Sequence, residues 1–108
     1  MNIYIILFGA VALEVSGTML LPLSQGFTKF IPSALSVLFY CLSIYLLSIT
    51  VQKLPIAIVY ASWAGLGVFT VALLGYIFYK QSLNWQTIIG LFLIIIGVIL
   101  VNIFKGQA

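Results

Sequence analysis

One carboxylate stands in this chain of 108 residues, Glu14, in the middle of an apolar run from about Ile3 to Leu21. An ionisable group at that depth of a membrane helix costs on the order of 3 kcal/mol on insertion scales, and such groups normally mark a functional site. No Lys or Arg lies within the apolar runs to neutralise it. A proton is then the readiest counter-charge, which makes Glu14 a candidate proton carrier. At helical spacing Leu7, Ala10, Val11, Gly17, Thr18 and Leu21 share its face, so small residues and a hydroxyl lie beside the carboxylate. The competing reading is a protonated Glu that only hydrogen-bonds a neighbouring helix, a task that Gln performs without an ionisable group.

A second constellation lies further along. Tyr60 and Trp63 are three residues apart, hence on one helix face, and the run Trp63-Ala64-Gly65-Leu66-Gly67 places two glycines in the same apolar stretch. Aromatic faces attract a desolvated cation by about 2 kcal/mol, and a lone carboxylate supplies the charge that rings lack. The pair therefore suits an organic cation, with ordinary packing as the alternative. Gly65 and Gly67 are either close-packing positions or a conformational hinge. Gly90 and Gly97, seven residues apart among bulky aliphatics, mark a helix face for dimerisation.

The same inventory excludes much. The chain has no His and one carboxylate, so a His-based triad, a paired-carboxylate hydrolase site and a His/Cys metal cage are all out of reach. No enzyme, metal site or cofactor is expected. The single Cys41 lies inside an apolar run and reads as a packed thiol. The net charge of +3 comes from four dispersed lysines without any Arg, which gives no stripe for nucleic acid and reads as membrane-flank anchoring.

The elements that must position these residues follow from composition. With 65% hydrophobic and 5% charged residues, the chain has almost nothing to face water, and a soluble fold is excluded. A spanning helix needs about 20 mostly apolar residues. Four fit, at about 3–21, 31–50, 56–79 and 85–104, in one four-helix domain over residues 1–108. The first run has no basic leader or small-residue cleavage site and is read as a retained helix. Pro22 is expected to stop it, and Pro32 to sit in the first turn of the second. Tyr4, Tyr76, Tyr79 and Trp85 lie near span ends, where amphipathic rings settle at headgroup level. Short loops make neighbouring helices antiparallel. Lys53 and Lys105 then share one side and Lys29 and Lys80 the other. An even tally gives no strong orientation signal. Both orientations are expected, so that two copies pair antiparallel as an inverted repeat.

These residues together resemble the small multidrug resistance transporters. The resemblance is carried by Glu14-Val15 and Gly17-Thr18, by Ser24 with Gly26-Phe27-Thr28, by Ile31-Pro32-Ser33 and by Leu54-Pro55. It continues through Tyr60-Ala61-Ser62-Trp63-Ala64-Gly65-Leu66-Gly67 and Gly90 to Gly97, covering essentially the whole chain. It implies an all-α integral membrane protein of the bacterial inner membrane, active as an antiparallel, dual-topology dimer. The two copies of Glu14 would face a shared chamber and exchange protons for a cationic substrate, with the proton gradient as driving force. It further implies that Tyr4, Tyr40, Tyr60 and Trp63 line or gate the chamber, that Gly65 and Gly67 form a kink, and that the Gly90 to Gly97 face joins subunits. Guanidinium exporters of the family usually carry Trp two or three positions after the glutamate. This chain has Ser16 and Gly17 there, which favours the quaternary-ammonium branch.

Two features depart or add. Many members have Lys in the first loop where this chain has Pro22, and its loss makes the lysine tally even. Ser16 and Ser62 add hydroxyls that suit Glu14 or a polar substrate. The expected function is proton-coupled export of lipophilic or quaternary ammonium cations. Export of a small polar cation (guanidinium, a polyamine or a choline-like solute) is the alternative, with a dual-topology ion channel behind it. A heterodimer with an oppositely biased paralogue is the alternative to the homodimer.

Overall fold

The computed structural model describes residues 2–104, so the expected role of Lys105 lies outside the described residues. The helices in chain order are α1 (Ile3–Met19), α2 (Leu21–Ser24), α3 (Phe30–Thr50), α4 (Ile56–Phe78) and α5 (Trp85–Ile103). Four stretches are long and apolar enough to cross a membrane, the first formed by α1 and α2 together. The fold is thus all-α with four candidate spans, as the composition requires.

The first span differs from the expectation at Pro22. The helix breaks at Leu20, ahead of the proline, and one further turn carries Pro22 within it. Pro22 has no N–H to give the Thr18 carbonyl, which ends α1; in the first turn of α2 that N–H is not needed. Ser24, almost fully buried, then closes the loop. Its hydroxyl donates to the Leu21 carbonyl at 2.7 Å and accepts from the Phe27 N–H at 3.2 Å. Gln25, Gly26 and Phe27 all have positive φ, and of these only Gly26 takes such a backbone without steric cost.

Helix α1 is the centre of the arrangement, packed on α3 along one side and on α4 along the other, with α5 resting chiefly on α4. The result is a flattened body of 45 × 34 × 19 Å. Leu7, Leu54 and Val59 form a small core near the α3–α4 turn, and Ile3, Tyr4, Leu47 and Trp63 pack around it. Most other large apolar side chains face outward, among them Phe30, Ile44, Phe92, Leu93 and Ile103. In lipid that outward face is solvated, so helix contacts rest on small residues and hydrogen bonds instead.

Those bonds are regular. Ser36 donates to the Gly17 carbonyl at 2.9 Å and Ser43 to the Ala10 carbonyl at 2.7 Å. The serines are seven residues apart on α3 and their acceptors seven apart on α1, the register of two antiparallel helices. Gly17 allows this approach: a Cβ there would stand 3.1 Å from the Ser36 carbonyl oxygen. At the other side Tyr79, expected only to sit at headgroup level, donates its hydroxyl to the Met19 carbonyl at 2.7 Å. It ties the ends of α1 and α4 together and satisfies a carbonyl left free where α1 stops.

Candidate functional site

The Glu14 carboxyl lies between the three helices that α1 brings together. Thr18, one turn further along α1, donates to Glu14 Oε1 at 2.8 Å. The Tyr40 hydroxyl of α3 lies 2.6 Å from the same threonine oxygen. A hydroxyl has one proton, so with Thr18 donating to Glu14 the bond between the hydroxyls is donated by Tyr40. The chain therefore points its donors toward the carboxylate, from α3 through Thr18.

The other carboxyl oxygen has a different setting. Glu14 Oε2 is buried and has no hydrogen-bond partner. It lies against the α4 backbone at Gly67, where a Cβ would approach to 2.7 Å. The indole Nε1 of Trp63 is likewise buried without a partner. Both residues border one cleft of about 440 Å³ between α1 and α4, otherwise walled by Thr18, Ala64, Gly67 and Val68 with Val71 and Ala72 beyond. Buried polar atoms without partners each cost about 1–3 kcal/mol, a cost retained where a ligand or proton supplies the missing bond.

Trp63 also borders a second cleft, of about 490 Å³, between α3 and α4. Tyr60 stacks on it there at a centroid distance of 6.0 Å and an interplanar angle of 28°. Ile44, Leu47, Val51 and Val59 make that cleft almost wholly apolar. Trp63 is thus the partition between an aromatic, apolar cleft and the carboxylate.

The structure brings Glu14, Thr18, Tyr40, Tyr60 and Trp63 into one connected site. It puts three other candidates elsewhere. Ser16 points away from Glu14 and donates to the Ala12 carbonyl at 2.8 Å. Ser62 is buried toward α5, where it accepts from Asn102 Nδ2 at 2.7 Å. Tyr4 borders neither cleft; its ring packs on the Leu7, Leu54 and Val59 core and its hydroxyl donates to Asn102 Oδ1 at 2.9 Å. Asn102 was legible only as a polar residue inside the last apolar run, and its amide turns out to join three helices.

The glycines also separate. Helix α4 runs unbroken through Gly65 and Gly67. Gly65 faces α5, where a Cβ would meet Val98 Cγ2 at 2.5 Å, whereas Gly67 faces Glu14. A Cβ at Gly90 or Gly97 meets nothing within 4 Å. That face of α5 is open to lipid or to a second chain. No cluster of metal-ligating side chains occurs among the described residues.

Fold and site define a class: a small multi-pass membrane protein whose spans enclose a single carboxylate flanked by aromatic rings. Comparison with known sequences makes this specific. The chain belongs to the Small Multidrug Resistance protein family, whose model matches residues 2–94. It is 43% identical over 105 residues to "Multidrug transporter EmrE" of Escherichia coli (strain K12), covering 97% of this chain and 96% of that one. It is 44% identical over 101 residues to "Quaternary ammonium compound-resistance protein QacC" of Staphylococcus aureus, covering 94% of each. "Multidrug resistance protein EbrA" of Bacillus atrophaeus is 41% identical over 99 residues, 92% of this chain and 94% of the relative. The protein is therefore a transporter of the bacterial inner membrane and not an enzyme.

Proposed function

We propose that the chain is a proton-coupled antiporter that exports lipophilic and quaternary ammonium cations, with Glu14 holding either a proton or the cation. The observation that carries the reading is the setting of Glu14. One oxygen is held by a chain of donors through Thr18 and Tyr40, while the other is unpartnered beside Gly67 in a cleft walled by Trp63. A single carboxylate in an apolar wall binds one positive charge at a time, so proton and cation exclude each other. That exclusion converts a proton gradient into cation export. The stacked Tyr60 and Trp63 offer π-faces that attract a cation without demanding a particular shape. The names of the relatives, among them multidrug and quaternary ammonium resistance proteins, support this substrate class.

The functional unit is an antiparallel homodimer inserted in both orientations. In the sequence Lys29 and Lys80 fall on one side of the spans and Lys53 and Lys105 on the other, an even tally that gives insertion no dominant charge bias. The open Gly90 and Gly97 face of α5 supplies a contact surface. Gly65 and Gly67 serve as the flexible point of α4 in the cycle. No cofactor takes part. Ser16 and Ser62, which favoured a small polar cation, spend their hydroxyls on Ala12 and Asn102, so the bulky cation is the stronger reading.

The test is uptake by the purified chain in liposomes under an imposed pH gradient, with tetraphenylphosphonium beside guanidinium and Glu14→Gln as control. Uptake of the bulky cation that disappears in the variant is expected. Proton-driven uptake retained by Glu14→Gln overturns the reading, as does uptake of guanidinium alone.

A further inference from the structure

We propose that Asn102 is a positioning residue for the aromatic wall of the Glu14 site: it pins Tyr4 of α1 and Ser62 of α4 to α5, beside Trp63. The proposal rests on the transport reading above for its functional readout, though its structural readout does not.

Among the described residues, the Asn102 amide bonds to three helices. Its Oδ1 accepts from the Tyr4 hydroxyl at 2.9 Å, and its Nδ2 donates to Ser62 Oγ at 2.7 Å and to the Val98 carbonyl at 2.8 Å. A backbone carbonyl only accepts, so the Val98 bond fixes which end of the amide carries the protons. The orientation is thus set within α5, and Tyr4 and Ser62 fit themselves to it. Polar side chains inside a span are expensive, and a Leu would fill this position at lower cost. Asn102 borders neither the carboxylate cleft nor the aromatic cleft, so its polar groups do not meet the cation there.

What it controls is the next residue along. Ser62, buried to 1% exposure, precedes Trp63 in the chain. Trp63 makes no hydrogen bond through its indole nitrogen, so its ring is oriented by packing and by the backbone turn that carries it. The Asn102–Ser62 bond is the polar fix next to that turn. Tyr4 closes the arrangement from the other side, because its ring packs on the same Leu7, Leu54 and Val59 core as Trp63. The same turn of α5 meets α4 a second time where Val98 fills the space opposite Gly65. One α5 turn therefore sets the height and rotation of the α4 segment from Ser62 to Gly65, and with it the partition between the two clefts.

The experiment uses the full chain in liposomes with Trp85→Phe, which leaves Trp63 as the sole indole. Trp63 emission is read alone and on titration with tetraphenylphosphonium, and proton-driven uptake gives KM and kcat. Loss of the two interhelical bonds in Asn102→Leu is expected to shift Trp63 emission and raise Kd and KM about five- to tenfold, with kcat kept within about twofold. Ser62→Ala alone costs about two- to threefold, and it adds nothing in the Asn102→Leu background. Parental emission and Kd in folded Asn102→Leu overturn the proposal, as do additive losses in the double variant. If Asn102→Leu does not fold, Ser62→Ala, which removes only a hydroxyl, decides on the same emission and Kd readouts. If the parent does not bind the cation in a Glu14-dependent way, the transport reading fails, and the emission shift still decides whether Asn102 holds Trp63.

Discussion

Gly67→Ala moves the Glu14 carboxyl without disturbing the fold. The new Cβ would stand 2.7 Å from Oε2, while ordinary contact begins at 3.4 Å, so the carboxyl must retreat by about 0.7 Å. The obstacle is the far end of a flexible side chain, so the retreat occurs by rotation of Glu14 and leaves the helices in place. Retreat takes Oε1 off the 2.8 Å bond from Thr18 and turns Oε2 away from the α4 wall. A hydrogen bond to a charged group is worth about 1.5–3 kcal/mol, which converts to a loss of roughly ten- to a hundredfold in cation affinity. Gly65→Ala is the comparator, two residues away with the same added atom. Its Cβ meets Val98 Cγ2 at 2.5 Å and Ile94 Cγ2 at 3.1 Å, both on stiff β-branched side chains. There α5 itself must step back, at about 1–3 kcal/mol of stability. Calorimetric titration with tetraphenylphosphonium at two pH values separates the two. Gly67→Ala is expected to lose affinity and keep its thermal stability, and Gly65→Ala to lose stability with a several-fold change in affinity at most. Parental affinity in Gly67→Ala, or a larger binding loss in Gly65→Ala, refutes the reasoning.

Three further outcomes are expected. Thr18→Val breaks both bonds of the donor chain, and Tyr40→Phe breaks one; in a double-mutant cycle on cation affinity the pair should couple by about 0.5–3 kcal/mol, and simple additivity would remove Tyr40 from the chain. Ser36→Ala and Ser43→Ala should each lower stability in denaturant titration by about 0.6 kcal/mol and at most about 1.7 kcal/mol, the range for interhelical hydrogen bonds in membranes. Lying about 10 Å apart along α3, they should add; strong coupling would mean that the two contacts form as one. Gln25→Lys and Gln52→Lys bias the lysine tally to opposite sides. Each alone should be inactive in cation-resistance growth and the two together active, whereas full activity of either alone rules out the antiparallel unit.

Four apolar spans were legible because hydropathy and length constrain a membrane helix strongly. Glu14 and Trp63 were legible because their types are costly or unusual at that depth. Pro22 was misread as a stop because the proline rule locates a missing N–H, not the residue at which the helix gives way. Here the break falls at Leu20, two residues ahead of the proline. Ser62 and Ser16 were misleading for a different reason. A hydroxyl announces hydrogen-bonding capacity but not its direction, which depends on helix rotation. Ser36, Ser43, Tyr79 and Asn102 went unseen as contacts because each bond joins helices far apart in sequence. The spacing of seven between Ser36, Ser43 and Thr50 was the one local signal available, and it marks the face that α3 buries.

How the helices are held differs from one interface to the next, and the difference falls at the site. Between α1 and α3 the serine bonds reach backbone carbonyls at two successive levels, so neither helix slides or turns without breaking them. Between α1 and α4 the direct pin is at one end, where Tyr79 holds Met19, and the indirect one is at the other, through Tyr4, Asn102 and Ser62. Mid-way along that interface the close approach is the unpartnered Glu14 Oε2 against Gly67, with no bond across it. Lipid supplies little drive to press the helices together, so an interface without bonds or interlocked side chains resists movement least. The carboxylate thus lies on the less pinned side of α1, where a proton or a cation that occupies it acts directly on the spacing of two helices.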